Sequence, residues 1–527
     1  MRDFETPGRS EVMALNGMAA TSHPLASQTA IAVLQAGGNA VDAAIAAAMV
    51  QNIAEPQMCG LGGDAFILLK PAGQEDVLAL NGSGRAPAGY SAEKLRAAGH
   101  DTVPTHGIEP VTLPGGVDAL CRLHAAHGRL SLEEILAPAI GYAEDGIPVA
   151  ARAAFDWADD INILRGDALK FYSIDGRAPR PGQIFRAPGQ AEVMRRIARE
   201  GRAGFYEGEV AEDMIASLNA LGGSHTEADL AATSATWGEP VAGQYSGIEL
   251  LEHPPNGQGA TAILLLKILS HFDLAAMDPL GPARAHIETE AAKLAYDARN
   301  RFIADPAHMD PARLATFLDD DAAARLAGLI DPNRAMADPA RLSEAVHRDT
   351  ICLSVVDRDR MAISLIYSIF WGFGAGLASR KFGINFQNRG AGFSLTPGHP
   401  NEAGPGKRPM HTIIPGMLRR EGRVTMPFGV MGGAYQPTGH ARLITNLRDY
   451  GMELQQAIDA PRLFAGPDGL EVERGYSDAT RARLAELGHK IVAPEHPLGG
   501  AQAIVIGEDG VLTGGSDPRK DGCALGY

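Results

Sequence analysis

The strongest constraint on the fold of this chain is a short apolar run, residues 350–356, that directly follows a polar, alanine-rich segment, residues 334–349. The run is rich in β-branched residues, which favour strands, and the four charged residues at 357–360 are typical of a hairpin turn. A second apolar run, residues 361–370, completes the predicted hairpin. Further strands are predicted at 413–418, 423–428, 503–506 and 511–513, and helices at 440–449 and 454–460. Strands framed by helices predict an α/β fold, a layered sandwich.

The N-terminal third is predicted to be helical and closely packed. Residues 25–35 form a predicted helix that stops at Gly37 and Gly38, and Asn39 is the predicted cap of an alanine-rich helix that runs to about Ala54. The middle of the chain, from about 115 to 345, is predicted to alternate helices with loops.

A glycine loop, Gly60-Leu61-Gly62-Gly63, leads into an apolar strand after the second of these helices. Residues 60–65 match the dinucleotide-binding motif G-x-G-x-x-A. That pattern must follow a strand and open a helix, whereas this loop follows a helix and opens a strand. The sequence therefore predicts no nucleotide cofactor.

Length, charge and cysteine placement exclude several classes of protein. A chain of 527 residues exceeds what one core usually supports, so two closely joined halves are expected. The net charge of −16 argues against a nucleic-acid partner. No run approaches the roughly 20 apolar residues that cross a membrane, and the N-terminus lacks the apolar run of a signal peptide. The four cysteines are scattered without disulfide or metal-ligand spacing, so we expect no metal and a cytoplasmic protein.

Thr350 is the residue on which the functional interpretation depends. It opens a predicted strand directly after a segment predicted to be exposed. Cleavage of the Asp349–Thr350 bond would free an α-amine, which can act as general base for the adjacent hydroxyl. By itself this pattern is weak, because a threonine that opens a strand is usually only a β-former.

Ordered motifs along nearly the whole chain strengthen the interpretation, because the sequence resembles the γ-glutamyltransferase family of N-terminal-nucleophile hydrolases. The matching stretches are Gly37-Gly38-Asn39-Ala40-Val41-Asp42-Ala43-Ala44, Gly60-Leu61-Gly62-Gly63, Pro254-Pro255 with Gly257, Ser354-Val355-Val356-Asp357, Phe373-Gly374-Ala375-Gly376, Gly404-Pro405-Gly406-Lys407-Arg408-Pro409, Gly432-Gly433, Asp459-Ala460-Pro461-Arg462 and Ser516-Asp517-Pro518-Arg519.

The resemblance implies a reaction type and a fold. It implies that Thr350 is the nucleophile and that a precursor cuts itself into a large piece, residues 1–349, and a small piece, residues 350–527. It also implies a four-layer αββα sandwich. Ser368 aligns with a second hydroxyl of the family. Gly432 and Gly433 align with the paired glycines whose N–H groups face the oxyanion, each typically worth about 3 kcal/mol. The alternative for these two glycines is a tight turn.

The residues that would hold a γ-glutamyl group differ from the family pattern. A carboxylate-binding Arg is replaced by Ser83, and Arg85 lies two residues further on. The other replacements are Phe370 for an Asn, Arg389 for a Gln, Gly392 for an Asp, and His411-Thr412 for a pair of serines. A buried ammonium needs a polar partner, and Arg389 would repel it. Arg389 and His411 are instead expected to donate to a substrate carboxylate. The other residues expected to contact the substrate are Ser83, Arg85, Phe370 and Thr412. A structural ion-pair role is the alternative for Arg85 and Arg389.

We therefore expect an amidohydrolase for a short anionic acyl amide. The segments 365–368, 387–390 and 399–401 resemble a subgroup that includes oxamate amidohydrolase, so oxamate is the named candidate. Three alternatives stay open: a γ-glutamyl hydrolase or transferase, a glutaryl acylase, and a binding protein that never matures. Expected partners are the small-molecule amide and the two fragments of one precursor, with a homodimer of processed heterodimers as one assembly.

Overall fold

The structure is a computed structural model that describes residue 5 and residues 8–336 and 350–527. Its strands, in chain order, are β1 (Val12–Ala14), β2 (Met18–Thr21), β3 (Asp64–Lys70), β4 (Leu78–Gly82), β5 (Ile147–Pro148), β6 (Ile184–Phe185), β7 (Thr236–Gly238), β8 (Val241–Tyr245), β9 (Ile248–Glu252), β10 (Ile351–Val356), β11 (Ala362–Ser368), β12 (Gly416–Arg420), β13 (Arg423–Met431), β14 (Leu463–Gly466), β15 (Gly469–Val472), β16 (Ile491–Val492), β17 (Gly500–Ile506), β18 (Leu512–Ser516) and β19 (Cys523–Gly526).

The α-helices are α1 (Pro24–Gln35), α2 (Ala40–Ala54), α3 (Ala92–Ala97), α4 (Gly116–His127), α5 (Leu132–Asp145), α6 (Ala151–Asp160), α7 (Asp167–Phe171), α8 (Pro188–Glu200), α9 (Ala203–Tyr206), α10 (Gly208–Asn219), α11 (Glu227–Ala231), α12 (Gly259–Leu269), α13 (Pro282–Phe302), α14 (Pro311–Phe317), α15 (Asp320–Ala327), α16 (Gln436–Arg448), α17 (Leu454–Asp459) and α18 (Asp478–Glu486).

Two seven-stranded sheets form the centre of the molecule. The first has the order β19-β2-β10-β11-β3-β4-β7 and the second the order β1-β18-β17-β13-β12-β9-β8. Their inner faces meet through a shared apolar cluster that includes Leu68, Val356 and Met417. Hydrogen bonds also cross between the sheets, as where Ser364 Oγ donates to the carbonyl oxygen of Phe428 over 2.7 Å.

Helices cover the outer face of each sheet. On the first sheet, α1, α2, α4 and α5 share one apolar core with β3, β10 and β11. On the second, α12, α13 and α16 share another core with β12 and β13. The layers are therefore helix, sheet, sheet, helix, which confirms the predicted αββα sandwich. Among the described residues, no helix is both long and apolar enough to cross a membrane.

Local sequence signals account for the N-terminal helices. Asn39 accepts from two backbone N–H groups at the start of α2, and Asp42 returns a hydrogen bond to the Asn39 backbone, which completes a capping box. Every residue of α2 is buried, because its many alanines let α1, α5 and β10 approach closely. The predicted ends of both helices are confirmed to within a residue.

The prediction of helices and loops alone in the middle of the chain was wrong. Strands β8 and β9 lie there and pair with each other, and β9 also pairs with β12. A short strand such as β8, interrupted by Gly243, gives a weak local signal, and its pairing is stabilised by residues far away in sequence. The predicted lead-in, 334–349, is described only as far as residue 336.

Candidate active site

Thr350, Ser368 and Asp64 form a row across three neighbouring strands. Thr350 lies immediately before β10, whose first residue, Ile351, is paired with Tyr367 of β11. Ser368 is the last residue of β11 and is paired with Asp64, the first residue of β3. All three members of the row are fully buried, and Thr350 Oγ1 donates to Ser368 Oγ over 3.3 Å. The first sheet thus brings two hydroxyls and a carboxylate together at the ends of its central strands.

Arg389 places a buried positive charge beside this row. Its Nη2 donates to Ser368 Oγ over 3.2 Å and its Nη1 donates to Thr412 Oγ1 over 3.0 Å. The guanidinium lies 4.0 Å above the ring of Phe370. Phe370 has a φ of 85°, a strained conformation for a residue with a side chain, and its backbone N–H donates to Ser368 Oγ over 2.9 Å. The backbone after β11 is therefore held so that an aromatic ring faces the arginine.

Asp64 is held by donors from several segments of the chain. Its Oδ1 accepts from the backbone N–H groups of Gly84 (2.9 Å) and Gly115 (3.1 Å) and from Gln387 Nε2 (2.9 Å). Burial raises the pKa of the Asp64 carboxyl to about 6, and the positive charge of Arg389 and these hydrogen bonds limit the rise. The charge of Asp64 therefore depends on pH, and it lies in the same interior as the positive charge of Arg389.

His411 faces Asp64. Its Nε2 lies 3.2 Å from Asp64 Oδ2, and its Nδ1 accepts from the backbone N–H of Ile413 over 3.4 Å. An acceptor role for Nδ1 assigns the proton to Nε2, so His411 donates to the carboxylate. The sequence predicts His411 as a donor to the substrate, whereas the structure directs its Nε2–H to Asp64.

Gly432 and Gly433 connect the end of β13 to the short turn before α16. Their φ angles are 119° and 54°, which favour glycine at both positions. A Cβ on Gly432 would lie 2.9 Å from the Cα of Gly499. Gln258 Nε2 donates to the carbonyl oxygens of Gly433 (2.9 Å) and Thr412 (2.7 Å). This amide ties the glycine pair to the segment that carries Thr412.

Ser83 and Arg85 have partners of their own. Ser83 is buried, and its Oγ accepts from Asn256 Nδ2 over 3.0 Å. Arg85 pairs with Asp305 over 3.3 Å and donates to the carbonyl oxygen of Gly406, and 41% of its side chain is exposed. The structure thus supports the ion-pair alternative for Arg85 over the expectation that it contacts the substrate, because Asp305 already balances its charge.

A cavity of about 640 Å³ opens next to the cluster. Its wall includes Phe370, Trp371, Gly392 and Met410 from the C-terminal part of the chain, together with Arg299 of α13. Phe370 and Gly392 are two of the positions at which the family pattern has changed. The cavity therefore meets the cluster at residues predicted to shape substrate choice.

The sequence interpretation missed two residues of this site, Asp64 and Gln387. The available signal was Asp64 itself, because a carboxylate directly precedes the apolar run 65–69 in a strand that is fully buried. A buried carboxylate needs compensating donors or charges, which is a recognised sign of a functional position. Asp349, on the other side of the predicted cleavage bond, lies outside the described residues.

One other group in the described part of the chain has the composition of a metal site. Ligand atoms of His286, Glu290 and His489 lie within 4.8 Å of one another. They already have protein partners, since His286 Nδ1 and His489 Nε2 are 2.7 Å apart and Lys293 Nζ lies 2.7 Å from Glu290 Oε1. These contacts give the group a structural role in joining α13 to the segment before β16.

Comparison with known proteins identifies the family of this chain. The model of the gamma-glutamyltranspeptidase family matches residues 26–527. The oxamate amidohydrolase proenzyme of Klebsiella pneumoniae is 38% identical over 536 residues, which cover 98% of this chain and 100% of that protein. The glutathione hydrolase-like YwrD proenzyme of Bacillus subtilis is 36% identical over 527 residues, which cover 98% and 99% of the two chains.

Solved structures agree with this placement. The crystal structure of cephalosporin acylase from Bacillus halodurans superposes with a TM-score of 0.91 at 36% identity, and covers 100% of this chain and 99% of that one. The chain is therefore an enzyme, a hydrolase of the gamma-glutamyltranspeptidase family of N-terminal-nucleophile proteins.

Proposed function

We propose that this enzyme matures by cleaving its own chain between Asp349 and Thr350 and then hydrolyses a short anionic acyl amide, with oxamate as the first candidate. The word proenzyme in the names of both relatives supports maturation by cleavage. The new α-amine of Thr350 takes the proton from Oγ1, and Oγ1 attacks the amide carbonyl. The N–H groups of Gly432 and Gly433 stabilise the oxyanion. Ammonia leaves with that proton, and water then cleaves the ester on Thr350 to release the acid.

Arg389 is the observation that carries the choice of substrate. It is fully buried, and its guanidinium is directed at Ser368 and Thr412, within hydrogen-bond reach of the nucleophile's own partner. A carboxylate one bond away from the scissile carbonyl, as in oxamate, would lie close to this cation. The α-ammonium of a γ-glutamyl group would instead meet a buried positive charge. Phe370 fills space beneath Arg389, which favours a small acyl group.

The cavity beside Phe370 favours a second candidate, an acylase for larger amides. Its volume of about 640 Å³ greatly exceeds that of a molecule such as oxamate. A bulky amine leaving group, or a longer acyl chain, would fit there. The structural likeness to a protein named cephalosporin acylase supports this candidate independently.

A parallel assay separates these candidates. The mature enzyme is given oxamate, a γ-glutamyl anilide and a glutaryl amide at equal concentration, and ammonia or amine release is measured. We expect the highest kcat/KM with oxamate. Faster turnover of the anilide would reject the proposal in favour of a γ-glutamyl enzyme, and faster turnover of the glutaryl amide would favour the acylase.

A further inference from the structure

The buried carboxylate of Asp64 has no part in the bond-forming steps above, yet it lies in the same row as the nucleophile. Asp64 is paired with Ser368 across β3 and β11, and Ser368 accepts from Thr350. Side chains that are directly opposite on neighbouring strands lie on the same face of the sheet. A negative charge on Asp64 therefore faces the place where the reaction occurs.

Asp64 balances the charge of Arg389 without taking up its hydrogen bonds. The guanidinium donates to Ser368 and Thr412, whereas Asp64 accepts from backbone amides, Gln387 and His411. The two charges are nevertheless close enough that Arg389 lowers the pKa of the Asp64 carboxyl against the effect of burial. The Nη1 and Nη2 groups of Arg389 thus stay directed at the hydroxyls, and the negative charge of Asp64 opposes the positive charge of Arg389.

Amide hydrolysis changes the charge of whatever occupies this pocket. A monoanionic acyl amide plus water gives a dicarboxylate and an ammonium ion, so the acyl product gains one negative charge at the carbon that was attached to Thr350. A pocket with Arg389 alone would bind that dianion more tightly than the substrate. A second negative charge nearby opposes this, because like charges repel strongly in a poorly screened interior.

We propose that Asp64 is a specificity-determining residue whose buried charge offsets Arg389, so that the pocket accepts a monoanionic amide and releases its dianionic product. This inference rests on the proposed function, since it places the new carboxylate beside Thr350. Asp64 acts through charge rather than by contact with the substrate.

Within the described part of the chain, the charged and titratable groups around Asp64 are His411, Arg389, Arg408 and Tyr367, and the mature enzyme adds the α-amine of Thr350. His411 donates to Asp64, and burial raises the pKa of the Tyr367 hydroxyl far above its usual range. Burial lowers the pKa of the Arg408 guanidinium to about 10, which leaves it charged at neutral pH. Asp64 itself loses its charge as the pH falls through about 6, because burial raises the pKa of its carboxyl to that value. Protonation would remove its charge, so the wild-type enzyme should bind the dianion more tightly as the pH falls through that value.

The test measures binding by calorimetry to the mature wild-type enzyme and to Asp64→Asn, which keeps an oxygen for the donors that reach Oδ1. The probes are oxalate, oxamate and neutral oxamide, at about pH 8, where Asp64 is ionised. We expect oxalate to bind roughly tenfold more tightly to Asp64→Asn, oxamate roughly threefold more tightly, and oxamide without change. If Asp64 had a purely structural role, Asp64→Asn would bind all three probes more weakly than the wild type.

Two control variants accompany this measurement. Asp64→Glu keeps the charge, so the ratio of its oxalate affinity to its oxamate affinity should stay close to that of the wild type. Asp118→Asn removes another fully buried carboxylate, one that pairs with Arg122 and Arg202, and should leave oxalate binding unchanged. If Asp64→Asn does not mature, Asp64→Ser gives the same readout from a smaller side chain.

The inference is overturned if removal of the Asp64 charge leaves oxalate binding equal or weaker, or undetectable in both proteins. Turnover of oxamate by the wild type is measured separately. If the wild type hydrolyses oxamate but Asp64→Asn does not bind oxalate more tightly, the role of Asp64 is rejected and the proposed function is kept. If Asp64→Asn binds oxalate more tightly but the wild type does not hydrolyse oxamate, the role of Asp64 is supported and oxamate is rejected as the substrate.

Discussion

Arg389 is the residue at which this chain departs most clearly from a γ-glutamyl enzyme. Its buried guanidinium lies above Phe370 and donates to two hydroxyls, so it is fixed in position before any substrate arrives. A preorganised arginine is a strong partner for a carboxylate, because the two groups match in charge and in planar geometry.

We therefore predict that Arg389→Gln raises the KM for oxamate roughly a hundredfold, about 3 kcal/mol, with a smaller change in kcat. Steady-state kinetics check this value. Arg85→Gln is the matched control, because Arg85 is partly exposed and pairs with Asp305. Its KM should stay close to that of the wild type. An equal effect of both substitutions would show that Arg389 has no special role in binding the substrate.

At the scale of elements, β13 carries a glycine turn at each end, and the two turns differ in their surroundings. Gly422 lies before the strand with a φ of 78° and open space around it. Gly432 lies after the strand with a φ of 119°, and a Cβ there would approach the Gly499 backbone. The first turn constrains only the backbone angle, whereas the second constrains both the angle and the packing at the site.

This difference predicts unequal effects of alanine. Gly422→Ala should cost about 1 kcal/mol of stability and leave activity intact, because only the backbone is strained. Gly432→Ala should cost at least about 2 kcal/mol and reduce kcat at least tenfold, since the chain must move away from Gly499. Denaturant unfolding and initial rates measure the two effects. Full activity of Gly432→Ala would argue against a role for this turn in oxyanion binding.

In the molecule as a whole, both sheets combine strands from the two predicted fragments. In the first sheet, β10 and β11 from residues 350–527 lie between β2 and β3 from residues 1–349. In the second, β12 pairs with β9 on one side and β13 on the other. The fragments therefore share hydrogen bonds and both cores.

We predict that the wild type matures into two fragments, residues 1–349 and 350–527, which stay together in native buffer and separate only in denaturant. Mass spectrometry identifies the fragments, and gel filtration with and without guanidinium tests their association. Thr350→Ala should remain an intact chain of 55.4 kDa. An intact wild-type chain after long incubation would support a binding protein that never matures, and cleavage in Thr350→Ala would remove Thr350 from the processing step.

Local sequence patterns were sufficient to predict several elements of the fold. Capping residues and glycine stops set the ends of α1 and α2, and apolar β-branched runs set β10 and β11. The ordered motifs also predicted the family and the αββα layers, which the comparisons and the fold confirm. The role of Thr350 stays a prediction that the buried hydroxyl pair supports, and the cytoplasmic location also stays a prediction.

The charges that meet in the pocket could be identified only once the chain was folded. Arg85 and Arg389 are the same residue type, but they have different partners in the fold. Arg85 pairs with Asp305, whereas Arg389 donates to Ser368 and Thr412. The place of Asp64 before an apolar run marks it in the sequence, but the donors that hold its carboxylate come from four distant segments, which no local pattern identifies. The physical reason is that burial and charge balance are properties of the assembled sheets, whereas a sequence pattern records only neighbours along the chain.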